Sequence, residues 1–148
     1  MFELHHGDIN KWPFEKRLLD QSIGAVVAFE GRVRNHNQGR AVLSLEYEAY
    51  EALAIKEGNK IIDEARAKFH ATHLYCIHTL GHLKLGDLAV WVQAASSHRA
   101  EAFRACQYAI DEIKKRVPIW KCEHYPEGEP VWVNCPHCNA DDHQHKKS

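Results

Sequence analysis

No apolar run in this sequence approaches the ~20 residues that a membrane-spanning helix needs, so a transmembrane segment is not expected. The formal net charge is only -1 at neutral pH, which leaves no global attraction to nucleic acid or to an anionic membrane surface. Any basic site must therefore be local. There is no internal repeat, so repeat architectures are excluded. The five cysteines are odd in number and follow no framework spacing, which argues against a disulfide scaffold and fits a reducing compartment. The opening MFELHHGDIN is too polar for a signal peptide, and a cytoplasmic location is the expectation.

What is present is ordinary globular material. With 148 residues, 45% apolar and 26% charged, the chain can bury a real core without disulfides or a metal. Residues 1–134 are expected to form one domain, with 135–148 a polar tail containing Cys and His.

Phe2 and Leu4 alternate with polar residues and open an edge strand. Trp12-Pro13 followed by Phe14, Leu18 and Leu19 predicts a short first helix, with Pro13 in its first turn. The small and apolar run from Gly24 to Gly31 reads as a buried strand, followed by a turn through Asn35, His36, Asn37 and Gly39. Val42, Leu43, Leu45 and Tyr47 predict its partner strand. A long helix is expected from about Tyr50 to Phe69, with Leu53, Ile61, Ile62, Ala65 and Phe69 on its core side and Gly58 a weak point. Strands are expected at His73–His78, Leu88–Ala95 and Ile119–Glu123, with Val131–Val133 closing a final hairpin. The histidines of the first of these strands read as polar residues on the pleat. Helices inserted among mainly antiparallel strands make the fold α+β.

The stretch from Ser96 to Lys121 organises the rest. Ala102, Phe103, Cys106, Ala109, Ile110 and Ile113 recur at helical spacing as one buried stripe, with Ser97 as N-cap and Pro118 beyond the end. The first turn carries His98 and Arg99, where the helix dipole favours anions over cations. That start points equally to a bound phosphate or carboxylate and to a solvated pair. On a helical wheel Lys114 falls at the border of the apolar stripe and Lys115 nearly opposite it, so Lys114 can reach a pocket and Lys115 stays in water. Lys114 and Arg116 also simply suit a helix C-terminus.

The rise of ~1.5 Å per residue sets His98 and Lys114 roughly 24 Å apart, too far for one chain to pool both ends in one site. If both serve one pocket, a second subunit supplies one of them, and a two-fold dimer follows. Arg32 and Arg34 end the strand that begins at Gly24, and a two-cation surface there favours anion binding over a role in solubility alone. Lys121 follows Ile119 and Trp120. It serves either as an acid, base or nucleophile, or as a lysine whose head snorkels out of an apolar strand.

Three segments, VVAFEGRVRNHN, ASSHRAEAF and EIKKRVPIWKCEHYPEG, together resemble the large, catalytic subunit of molybdopterin synthase, in the same order and over roughly Gly24 to Trp132. The resemblance implies an α/β hammerhead-type fold, a mainly antiparallel sheet with three helices and a small additional β subdomain. It implies a sulfurtransferase that takes sulfur from the C-terminal Gly-Gly thiocarboxylate of a small ubiquitin-like carrier. The acceptor is cyclic pyranopterin monophosphate, and the product is the dithiolene of molybdopterin. A homodimer, or a heterotetramer with the carrier, is implied, with no permanently bound cofactor and no nucleic-acid or membrane partner. Lys114 and Lys121 are the implied catalytic residues. Arg32, Val33, Arg34, His98, Arg99, Cys122 and Glu123 join them in binding substrate, the His-Arg pair across the dimer.

The tail departs from that pattern. Cys135 and Cys138 give a single C-x-x-C, and His143 or His145 could complete a zinc set, but one such pair is a weak signal and no metal is expected. The reading from another class is a nucleotide- or RNA-binding α+β module using the same cations. Sheet-based RNA binders need exposed aromatics beside the cations, whereas here the strand aromatics alternate with apolar residues.

Overall fold

The structure, a computed structural model, describes residues 1–7, 9 and 20–133. The strands are β1 (Phe2–His6), β2 (Ala25–Arg32), β3 (His36–Asn37), β4 (Arg40–Ala41) and β5 (Ser44–Ala49), followed by helix α1 (Glu51–Phe69). Then come β6 (His73–Lys84), β7 (Leu88–Ser96), helix α2 (Arg99–Arg116), β8 (Ile119–His124) and β9 (Val131–Val133). Seven strands make one sheet in the order β2-β7-β6-β5-β8-β9, with β1 beside β6, and β3 pairs with β4 as a separate two-stranded sheet. Every pairing is antiparallel except β1 with β6. The fold is α+β.

β6 is the spine. One edge of its first half pairs with β7 from His73 to His78. Its other edge takes β1 from Cys76 to Leu80 and then β5 from Gly81 to Lys84. Gly81 stands at that hand-over with φ +95°, a conformation open mainly to glycine. β7 is buried along its whole length, as its run of apolar residues requires.

Both helices pack on one face of the sheet. Ile61, Ile62 and Ala65 of α1 and Ala105, Cys106, Ala109, Ile110 and Ile113 of α2 meet Leu74, Cys76, Val90, Val92 and Ala94. Gly58 is less a weak point than a notch: a Cβ there would collide with the Phe2 ring. Phe2 is 2% exposed, and burying such a ring contributes about 1.5–3 kcal/mol, which outweighs the helix penalty of roughly 0.5–1 kcal/mol for glycine. Arg116 bridges the helices, with Glu57 at 2.8 Å, Glu64 at 2.7 Å and Glu112 at 3.4 Å.

Several expectations need correction. Among the described residues there are two helices, and the helix expected around residues 12–19 lies outside them. β2 is an edge strand whose burial alternates, not a buried strand, because its pattern of small residues covers only one face. It pairs with β7, while β5 lies between β6 and β8, since strand choice is set by distant chain segments. Leu53 (54% exposed) and Phe103 (60%) face outward rather than into the core, and Ala105, on the opposite flank of the α2 stripe from Phe103, is buried. His98, not Ser97, is the α2 N-cap, and it makes no side-chain cap bond. Ser96 Oγ instead donates to Glu101 at 2.8 Å. The strand expected to stop at His78 continues to Lys84, and the β8–β9 hairpin forms as expected.

Candidate active site

Two adjoining cavities open where α2 ends over the sheet. One, of about 180 Å³, is a mostly apolar cleft between α2 and β8, walled by Ile110, Ile113, Val117, Ile119 and Trp120. The other, of about 350 Å³, is a polar basin bordered by Arg32, Arg34, His36, Asn37 and Glu123. Tyr47, His78, Val90, Lys114 and Lys121 line both. The two lysines therefore stand at the junction between an apolar slot and a cationic bowl.

The fold delivers these residues from separate elements. Lys114 comes from the last turn of α2, and Lys121 from β8, directly across the ladder from Tyr47 of β5. Strand alternation puts Leu45, Tyr47, Lys121 and Glu123 on the cavity face. Arg32 ends β2, where the ladder slips between Gly31 and Arg32, and Arg34 follows just beyond it. The tight β3–β4 hairpin, turning through Gln38 and Gly39 at φ 51° and 77°, brings Asn37 against Glu123. Asn37 Nδ2 donates to both Glu123 oxygens at 3.1 and 3.0 Å, and the Tyr125 hydroxyl donates at 3.3 Å. The 5% exposed carboxylate is thus held rigidly.

The charge balance is uneven. Arg32 is engaged, with Glu30 at 2.9 Å and the Gly86 carbonyl at 2.7 Å. Arg34, Lys114 and Lys121 have no carboxylate within ion-pair distance among the described residues. Burial drives the His78 pKa down to about 4, and the Lys114 charge adds to the effect. Its Nδ1–H donates to the Thr79 carbonyl at 2.9 Å, since a carbonyl can only accept, so Nε2 is left as an acceptor. Burial, with the Glu123 charge, pushes Tyr47 up to about 12, and its ring meets His78 edge-on at 4.8 Å. Both groups stay neutral near pH 7 beside two cationic side chains. Such a basin can bind a multiply charged anion and stabilise further negative charge.

Of the residues singled out from sequence, Arg32, Arg34, Lys114, Lys121 and Glu123 come together here. Val33 is buried beneath the basin with Val42 and Leu45, and Cys122 points to the opposite face; neither lines it. His98 and Arg99 are exposed at the far end of α2 and reach no part of this cavity. Cys135, Cys138, His143 and His145 lie outside the described residues. Sequence reasoning missed Tyr47 and His78 as lining groups, and the only signal for His78 was a basic residue within an apolar strand. A third groove, of about 440 Å³, runs between β2 and α2 past Val27, Phe29 and Phe103 and also ends at Lys114.

The fold and site define an α+β protein whose cationic basin, fed by an apolar slot, can bind an anion. The MoaE protein family matches residues 4–116. The chain is 42% identical over 120 residues to the molybdopterin synthase catalytic subunit of Nostoc sp., covering 80% of this chain and 73% of that protein. It is similar to the crystal structure of molybdopterin synthase from Staphylococcus aureus, with TM-score 0.82, 38% identity and coverage of 89% and 96%. The fold also resembles a chain in the complex of subunits 1 and 2 of molybdopterin-converting factor from Helicobacter pylori, with TM-score 0.73, 20% identity and coverage of 89% of each chain. The chain belongs to the MoaE family. Its activity is that of a molybdopterin synthase catalytic subunit, an enzyme of molybdenum cofactor biosynthesis.

Proposed function

We propose that this subunit moves sulfur from the C-terminal Gly-Gly thiocarboxylate of a small ubiquitin-like carrier protein to cyclic pyranopterin monophosphate, giving the dithiolene of molybdopterin. The observation that carries this reading is the shared wall: Lys114 and Lys121 border both the narrow apolar cleft and the polar basin. A side-chain-free Gly-Gly tail suits a slot of about 180 Å³, and its thiocarboxylate then emerges between the lysines. The cyclic phosphate suits the basin beside Arg34, with Arg32 and Glu123 shaping the pterin side. Sulfur attacks a side-chain carbon of the substrate, and a lysine ammonium protonates the departing oxygen. Water then cleaves the acyl–sulfur bond and returns the carrier with a carboxylate. The three thiols among the described residues support a borrowed sulfur. Cys76 and Cys106 are buried, burial pushing Cys106 up to about 11 and Cys76 higher still, and Cys122 is raised as well. None is a ready nucleophile.

The same reading includes a homodimer, and a heterotetramer with two carriers, in a cytoplasmic setting and with a hammerhead-type arrangement of residues 1–134. His98 and Arg99, roughly 24 Å along α2 from Lys114, then complete the phosphate site of the other copy. The outer edge of β2 has no strand beside it among the described residues, and Val26 (48%) and Phe103 (60%) lie exposed near it, an apolar surface suited to a second copy. Product formation from thiocarboxylated carrier and pyranopterin tests the activity. Mixing inactive Lys121→Ala dimers with inactive Arg99→Ala dimers tests the shared site. Subunit exchange restores one intact site per mixed dimer, and absence of any recovery after verified exchange refutes it.

A further inference from the structure

The back of the β6–β5–β8 sheet, turned away from the cavity, carries a cluster that sulfur transfer does not use. Neighbouring residues of a strand point to opposite faces, so where Tyr47 and Glu123 face the basin, Glu46 and His124 face away from it. Glu46, on the middle strand, stands opposite His82 of β6 and lies diagonally from His124 of β8. One ligand atom from each of these three side chains lies within 4.8 Å of the other two. His124 Nε2 is buried and has no hydrogen-bond partner. It stands 3.8 Å from Glu46 Oε1, beyond hydrogen-bond range, and the two imidazole rings meet edge-on with centroids 5.7 Å apart.

We propose that Glu46, His82 and His124 form a binding site for a divalent transition-metal ion of the zinc class, one ligand from each of three adjacent strands. Two imidazole nitrogens and one carboxylate oxygen are a donor set that zinc accepts at ~2.0–2.2 Å, with water as fourth ligand. Calcium and magnesium prefer all-oxygen sets, so the histidines argue against them. Ligand atoms of a tetrahedral zinc stand about 3.4 Å apart. Ligation would draw the three donors together from their present separations and give the orphaned His124 nitrogen the partner it lacks. His82 is exposed while Glu46 and His124 are half-buried, so the ion would enter from the solvent side of His82. A bound ion would clasp the three strands whose opposite faces carry Tyr47, Lys121 and Glu123. It therefore acts as a stabilising clasp rather than as a participant in the chemistry.

The tail holds its own candidate donors, so the baseline for the test is the full chain with Cys135→Ser, Cys138→Ser, His143→Ala and His145→Ala. Metal-free baseline protein is titrated with Zn2+ by calorimetry and with Co2+ by visible absorption, and its Tm is followed against Zn2+ concentration. The expected result is one Zn2+ per chain, a Tm that rises with Zn2+, and a Co2+ spectrum without thiolate charge transfer. His82→Ala, at an exposed position, is expected to weaken binding by roughly tenfold or more and to shrink the Tm rise, with circular dichroism unchanged. Glu46→Gln is expected to weaken it as well. Absence of stoichiometric binding in the baseline protein would overturn the proposal. So would binding indifferent to both His82→Ala and Glu46→Gln, or thiolate charge-transfer bands in the Co2+ spectrum.

Discussion

Two groups of cations lie within one turn of each other at the C-terminal end of α2, and their circumstances are opposite. Arg116 faces α1 and is ringed by Glu57, Glu64 and Glu112, whose carboxylates hold its guanidinium firmly protonated. Lys114, two residues earlier, faces the cavity with Lys121 and Arg34 and meets no carboxylate there within ion-pair distance among the described residues. The seam more than matches its cation with carboxylates, and the cavity does not. A compensated cation is a fastening; an uncompensated cluster of them is a receptor for an anion that arrives from outside.

Substitutions can break that contrast, and the largest effect belongs to the lysines. Lys121→Ala, and Lys114→Ala beside it, are expected to lower turnover by roughly 10²–10³, the range for losing one fixed donor to developing charge. Thermal melts of both should match the parent, because neither lysine is tied into an internal ion pair.

Acid titration probes the same cavity through stability. His78 has a folded pKa of about 4 against an ordinary 6.5, so the unfolded chain binds the extra proton first. Stability from this group is whole above pH 6.5 and is lost as the pH falls toward 4, amounting to roughly 3 kcal/mol. Urea midpoints measured from pH 4 to 7 should show this slope, and His78→Gln should flatten it.

A smaller effect separates the two arginines. Arg34→Ala is expected to raise KM about tenfold, in line with one charge-assisted contact to phosphate. Arg32→Ala should change KM less, since Glu30 and the Gly86 carbonyl already occupy much of its guanidinium. Equal effects on KM would remove the distinction. Least affected in turnover is Arg116→Met, which is expected to lower Tm while leaving kcat of the folded enzyme unchanged. Glu64, whose carboxyl is held below its ordinary range chiefly by the Arg116 hydrogen bond, adds a contribution present above that range and lost as the pH falls through it.

Lys114 was legible as a cavity residue because helical periodicity is a local signal. The wheel alone separated Lys114 from Lys115, and Lys115 does lie in solvent, 72% exposed and 3.5 Å from Glu112. The helix length likewise separated His98 and Arg99 from the lysines, as the cavity's lining bears out. Strand partners were not legible. Only the short β3–β4 hairpin separates β2 from β5 in sequence, yet they sit apart in the sheet, because β7 and β6 arrive between them from later in the chain. Tyr47 and His78 were missed as lining groups for the same reason: their place depends on register across β5, β6 and β8, and register is fixed by residues dozens of positions away. Phe103 and Leu53 misled because periodicity locates a stripe without giving its width.

β1 carries a consequence for the order in which the chain assembles. Phe2 pairs beside Cys76 and fills the notch at Gly58, so its ring is placed only by residues that come far later in the chain. A nascent chain emerging at ~5–20 residues per second holds that ring unplaced for several seconds, until β6 has been made. Pairing across such a separation must overcome a large loop entropy before any contact rewards it, which slows folding. Until β6 is made, the Phe2 ring and the α1 notch it fills are both unburied apolar surface, and such surface is open to aggregation.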